Sequence, residues 1–127
     1  MYYYSQVNCK IIGETKTDVK AVVDYIQEKH IAPFFHPEFK APKMIDGRAI
    51  SECIINEIDD FDPTNYIELL ELSKEHPNVV FDFIEQTKEN DCWCWRVYSG
   101  SLSKAPVKIR YTYGKFDLIK KSNQEIE

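Results

Sequence analysis

Residues 62–86, DPTNYIELLELSKEHPNVVFDFIEQ, decide the fold. Asp62 before Pro63 is a strong helix start. An aspartate side chain can take the unpaired N–H groups of a first turn, and proline at the first helical position has no N–H to lose. Tyr66, Ile67, Leu69, Leu70 and Ser73 carry the helix onward. His76-Pro77 must end it, because the residue before a proline is pushed out of helical backbone. From Asn78 the apolar period drops to two, so that Val79, Phe81 and Phe83 share one face of a strand. Neither element can bury its apolar face alone, which calls for helices packed on one side of a sheet.

Downstream, Lys88-Glu89-Asn90-Asp91 reads as a hairpin turn. Residues 92–99, CWCWRVYS, put Trp93, Trp95 and Val97 on one face and Cys92, Cys94, Arg96 and Tyr98 on the other. A Gly-Ser-rich turn containing Pro106 leads to a strand over 107–113, where Val107, Ile109, Tyr111 and Tyr113 alternate with Lys108, Arg110 and Thr112. From Lys115 the chain is amphipathic only through Phe116, Leu118 and Ile119, so the domain is expected over 1–116 and a fraying tail over 117–127.

Upstream, residues 2–12 alternate as a strand, with Tyr3, Ser5, Val7, Cys9 and Ile11 against Tyr2, Tyr4, Gln6 and Asn8. Gly13 ends it, and Thr15 or Thr17 can cap a helix whose buried stripe is Val19, Val22, Val23, Ile26 and His30. Residues 31–47 hold Pro33, Pro37 and Pro42, which forbid regular structure. Yet Phe34, Phe35, Phe39, Met44 and Ile45 are too apolar for a solvated linker. The stretch is either a lid over a core edge or a contact loop, with Phe34, Phe35, His36 and Phe39 as its interaction residues. Residues 49–58 fit a helix or a strand, and their β-branched content favours strand. The order β-α-β-α-β-β-β gives an α+β, ferredoxin-like sandwich: a mainly antiparallel sheet of about five strands with two helices on one face. Its expected core is Trp93, Trp95, Phe81, Phe83, Val22, Val23, Ile26 and Leu70.

Three segments carry a resemblance. VNCKIIGETKTDVKAVVDYIQ looks like the opening of the YubB ferredoxin-like family of phage and plasmid proteins. FFHPEFKAPKMI is similar to the proline-containing segment after that family's first helix, and residues 62–86 resemble its block of proline, helix, Lys-x-x-Pro and strand. The family often begins with an Asn-Trp-Cys-like element, where this chain has Tyr-Tyr-Tyr-Ser. The family has no established catalytic residues, so the resemblance implies a fold and a mobile-element origin rather than a reaction.

The 127 residues suffice for one ordinary domain, and 43% hydrophobic content is more than a disordered chain carries. No apolar run approaches the roughly 18 residues that span a bilayer, and MYYYSQVNCK lacks the pattern of a secretion signal. A cytoplasmic protein with no membrane partner is expected. The net charge of −5 conceals a division. Residues 50–91 carry twelve acidic side chains against Lys74 and Lys88, while residues 96–121 carry seven basic side chains against Asp117. This asymmetry either steers a charged partner or places an acidic element beside a basic strand.

Chemistry is poorly supported. Cys9 and Cys53 sit in apolar runs as small hydrophobes, and Cys92 and Cys94 share a strand face without two further ligands at zinc spacing from His30, His36 or His76. No metal and no cofactor are expected. His36, Glu38, His76 and Asp82 are acid–base candidates with no shared site, so no catalytic residue is assigned. The favoured reading is a non-enzymatic protein that contacts another protein. The acidic residues Glu57, Asp59, Asp60 and Asp62 could imitate phosphates to a nucleic-acid-binding partner, or simply solvate a helix start. One alternative is a small enzyme of unknown reaction, and another is nucleic-acid binding by a sheet face bearing Tyr4, Arg96, Tyr98, Lys108 and Arg110, against which stand the overall acidity and the missing RNP1 pattern. That face binds anions if open, and is structural if Asp82 and Glu52 neutralise it.

Overall fold

The computed structural model describes the backbone of residues 4–34, 38–59, 61–86, 92–112 and 115–120, and the side chains of 6–34, 38–55, 61–86 and 92–106. The chain is α+β. Strand β1 (Tyr4–Gly13) leads to α1 (Lys16–Lys29), β2 (Lys43–Ile45) and β3 (Arg48–Asp59). A 3-10 turn (Pro63–Asn65) and α2 (Ile67–Glu75) follow, then β4 (Val79–Gln86), β5 (Cys92–Tyr98), β6 (Ser101–Thr112) and β7 (Lys115–Lys120). Six strands run in the order β2-β3-β1-β4-β5-β6 with every neighbour antiparallel, and β7 pairs only with the second half of β6.

The sheet is therefore wider than the five strands read from the sequence, for two reasons. Asp46 (φ 51°) and Gly47 (φ 80°) form a two-residue turn inside the Pro-Phe stretch, which folds β2 back on β3. Both turn residues need positive φ, which aspartate tolerates and glycine adopts freely. The second cause lies at the far end, where residues 115–120 form β7 rather than fraying. The segment 49–58 is strand, as its β-branched residues favour.

Helix α1 begins where the Thr15 side chain accepts the Asp18 N–H at 3.1 Å. It ends at His30 (φ 54°), whose backbone N–H reaches the Ile26 carbonyl at 2.8 Å. Val19, Val22, Val23 and Ile26 are buried against β1 and β3. Gly13 closes β1 directly beneath α1; a Cβ there would lie 2.9 Å from a Val19 methyl, so only glycine permits this approach. Helix α2 packs on β4 and β5. Asp62 caps the 3-10 turn, accepting from the Thr64 N–H and hydroxyl. That extra turn sets the phase of α2. Leu69, Leu72 and Ser73 face the sheet, Leu70 is half-buried and Ile67 is 66% exposed.

One hydrophobic cluster joins both helices to one sheet face. Val7, Cys9 and Ile11 of β1 lie in its middle, opposite Cys53 and Ser51 of β3 and opposite Phe83 and Phe81 of β4. Trp95 is buried at the cluster's edge, whereas Trp93 is only half-buried. No helix of the described residues is long and apolar enough to cross a membrane.

Phe83 is fully buried and its ring meets those of Phe34 and Phe61 at 6.0 and 5.3 Å. Phe83→Ala is expected to destabilise the protein by about 3–5 kcal/mol in urea denaturation. Ile67→Ala, on the solvent side of α2, is expected to change it by less than about 0.5 kcal/mol. Equal effects at the two positions would contradict this core.

Candidate functional site: the uncovered sheet face

Both helices lie against the side of the sheet that carries Val7, Cys9 and Ile11. Alternation sends the intervening residues to the other side, and register arranges them in rows across the strands. Lys10 of β1 stands opposite Glu52 of β3 and Asp82 of β4, Asp82 stands opposite Arg96 of β5, and Arg96 opposite Ser103 of β6. The row thus reads acid, base, acid, base from β3 to β5. On one side of it lie Ile50, Ile12 and Val80, with Tyr98 at the end of β5. On the other lie Ile54, Asn8, Ile84 and Cys94.

Arg96 and Asp82 form a two-pronged ion pair, Nε to Oδ1 at 2.6 Å and Nη2 to Oδ2 at 2.8 Å. Asp82 is only 6% exposed, so the guanidinium is what makes burial of its carboxylate tolerable. The hydrogen bond to Asp82 holds the Arg96 guanidinium even more firmly protonated than usual. Lys10 and Glu52 are half-buried, and among the described residues neither makes an ion pair within 4.0 Å. Asn8 Oδ1 is buried and has no hydrogen-bond partner among the described residues. Ile54 (53%) and Tyr98 (49%) are exposed. Tyr98 lines a recess of about 310 Å³ with Ile12, Glu14, Arg48 and Val80. A second recess, of about 370 Å³, opens beside Glu38, Lys40, Glu52 and Ile54.

The register does not set Lys108 and Arg110 opposite Arg96 and Tyr98. Ser99 (φ 48°) and Gly100 (φ 79°) make a two-residue turn, so β6 begins at Ser101, well before the position a longer turn implied. The register then sets Ser101 and Ser103 opposite Tyr98 and Arg96. Lys108 and Arg110 fall in the half of β6 that pairs with β7, opposite Ile119 and Asp117. Their side chains, and that of Tyr4, lie outside the described residues; the backbone of Tyr4 pairs with Asp59. Pro106, expected in the turn, is instead a strand residue opposite Trp93.

The described part of the Pro-Phe stretch covers an edge of the core. Phe34 is buried against Phe83, and Phe39 packs on Phe34 with ring centroids 5.5 Å apart. The Ser51 hydroxyl donates to the Lys40 carbonyl at 2.6 Å, and the Lys40 N–H donates to the Glu52 carbonyl, tying the stretch to β3. Phe34 is thus core rather than contact surface; Phe35 and His36 lie outside the described residues. Glu38 lies beside β3, His76 ends α2 and Asp82 holds Arg96, so these acid–base candidates occupy three separate places. Asp62 serves as a cap, while Asp60 and the side chains of Glu57 and Asp59 lie outside the described residues.

Sequence reasoning missed a cluster on the helix side. Lys104 stands opposite Trp95, and its Nζ lies 4.3 Å from the ring centroids of both Trp93 and Trp95. Buried Glu85 accepts the Trp95 indole N–H at 3.0 Å. Burial, with Asp62 and Glu85 nearby, raises the pKa of the Tyr66 hydroxyl. Starting β6 directly after Ser99-Gly100 would have placed Lys104 here.

Among the described residues no group of three His, Cys, Asp or Glu side chains is placed to hold a metal ion. Burial raises the thiol pKa of Cys9, Cys53 and Cys92, which lowers their thiolate fraction. Set against protein-family models, curated proteins and solved structures, the chain matches none.

Arg96→Ala leaves the buried Asp82 carboxylate unmet and is expected to destabilise the protein by about 1–3 kcal/mol in chemical denaturation, with partial recovery in Arg96→Lys. Unchanged stability would show that the pair contributes nothing. Iodoacetamide at neutral pH is expected to label Cys94 first in native protein, with Cys9 and Cys53 reacting only on unfolding. Mass mapping of the adducts reads this order, and early labelling of Cys9 would contradict its burial.

Proposed function

We propose that this chain is a non-enzymatic binding protein that acts by protein–protein contact through its uncovered sheet face, built on a ferredoxin-like scaffold. The scaffold reading is supported by the order β2-β3-β1-β4, in which β1 is inserted between β3 and β4 and each helix connects strands that are not neighbours. Strands β5 to β7 extend that unit beyond β4. This is the architecture that the resemblance to YubB-like phage and plasmid proteins implies, and with it a mobile-element origin.

The observation that carries the contact reading is the Arg96–Asp82 pair within an alternating row flanked by isoleucines. Polyanion recognition needs a stripe of unmatched cations, because affinity for phosphates comes from neutralising them. Here the cation of the row's β5 end is already bound to a carboxylate. A face that is charge-balanced, partly aliphatic and edged by an exposed tyrosine suits another protein surface.

A photo-crosslinking residue placed at Ile54 or Tyr98 in the native host is expected to capture a protein, whereas one at exposed Lys20 of α1 is not. Equal capture at all three positions would remove the face from consideration. Tight, salt-sensitive binding of single-stranded DNA or RNA in fluorescence anisotropy would replace this reading with nucleic-acid recognition.

A further inference from the structure

We infer that the partner of the uncovered face is a second copy of this chain, packed sheet to sheet about a two-fold axis parallel to the strands. This rests on the reading of that face as a contact surface and names its occupant. An isologous interface requires each patch to complement itself after rotation. The central row satisfies this requirement. Taken from β5 to β3 it reads Arg96, Asp82, Lys10, Glu52, and therefore plus, minus, plus, minus. Reversing such a row converts every charge to its opposite. An axis running between β4 and β1 lays β5 over the partner's β3 and β4 over the partner's β1. Arg96 then faces the partner's Glu52, and Asp82 faces the partner's Lys10. Sliding the second copy sideways by one strand brings like charges together throughout, so the row sets its own register. One rotation thus sets each charge of the row opposite its complement.

The flanking row through Ile12 and Val80 agrees. The same axis brings Val80 over the partner's Ile12 and Tyr98 over the partner's Ile50, apolar on apolar. In the other flanking row it brings Ile54, exposed in the single chain, over the partner's Cys94, and Ile84 over the partner's Asn8. Desolvation does not oppose the arrangement at Asp82, which is already buried and paired within the chain. Lys10 and Glu52 are half-buried without an ion pair among the described residues, and they gain the most from the second copy. The rows cover four strands by about five residues, roughly 19 by 17 Å from strand geometry. That is about 650 Å² over both copies, below a standard interface, so the association is expected to be weak and transient.

Sedimentation velocity of the full chain, from low micromolar to about 0.5 mM, is expected to show a concentration-dependent species of twice 15.0 kDa. Glu52→Lys sets a cation against the partner's Arg96 and is expected to weaken association at least about tenfold, with the circular dichroism spectrum unchanged. The position of the axis is read by Ile54→Cys. Within one chain positions 54 and 94 lie three strands apart, about 14 Å, too far for a disulfide. Facing sheets lie about 10 Å apart, also beyond a direct disulfide, so a short bis-maleimide is the crosslinker, and it is expected to give a covalent dimer that is lost when Cys94→Ser is added. A chain that stays monomeric throughout, or a dimer that the thiol at position 54 does not trap, overturns the inference. If the chain is monomeric while a crosslinker at Ile54 still captures a different protein, only the second copy is ruled out and the contact face stands. If neither occurs, both fall.

Discussion

The structure depends on one constraint: β1 is bonded on both edges, to β3 and to β4, in antiparallel register. A strand so placed has no freedom to slip, because a shift of one residue would exchange buried Val7, Cys9 and Ile11 for Asn8, Lys10 and Ile12. With β1 fixed, the helices that leave and re-enter the sheet have only one apolar face to cover. Val19, Val22, Val23 and Ile26 settle over β1 and β3, and Leu69 and Leu72 over β4 and β5. The opposite face is left to Lys10, Glu52, Asp82 and Arg96. The core and the uncovered face are two readings of the same alternation.

Much of this is legible from the residues alone. The stripe of α1, the alternation in β4 and β5 and the stop at His76-Pro77 are local patterns, and local patterns survive folding when tertiary packing agrees with them. Asp62 caps, as its position before Pro63 suggests, but it caps a 3-10 turn rather than α2 itself. The effect is confined to phase. Ile67, which composition alone would bury, faces solvent, and Leu69 and Leu72 take its place in the core.

What was not legible turns on two short turns. Asp46-Gly47 is a strong hairpin signal, hidden by its position at the end of a proline-rich stretch whose prolines argue against any strand. Ser99-Gly100 is the more consequential, because the length of that turn decides which residues of β6 face Arg96. A longer loop makes Lys108 and Arg110 its neighbours and produces a basic patch. The two-residue turn makes Ser103 its neighbour instead. It is held by tertiary contact: the Gly100 N–H donates to the buried Ser73 hydroxyl of α2 at 2.8 Å, and that hydroxyl donates to the Leu70 carbonyl. Nothing within residues 92–112 announces a partner on a helix some 27 positions earlier.

The sequence's division into an acidic middle and a basic end acquires a local meaning once β4 lies beside β5. Asp82 from the acidic stretch and Arg96 from the basic one become neighbours through strand pairing, and their charges cancel at contact distance. Lys104, next along the basic stretch, lies over the indoles of Trp93 and Trp95, where the ring faces attract its charge. Two of the cations that give residues 96–121 their positive balance are thus held by groups inside the fold. A long-range dipole would require those charges to stand unanswered at the surface. The pairing instead converts a segregated sequence into a face whose charges alternate every strand spacing, about 4.8 Å. At that spacing the field decays within a short distance of the surface.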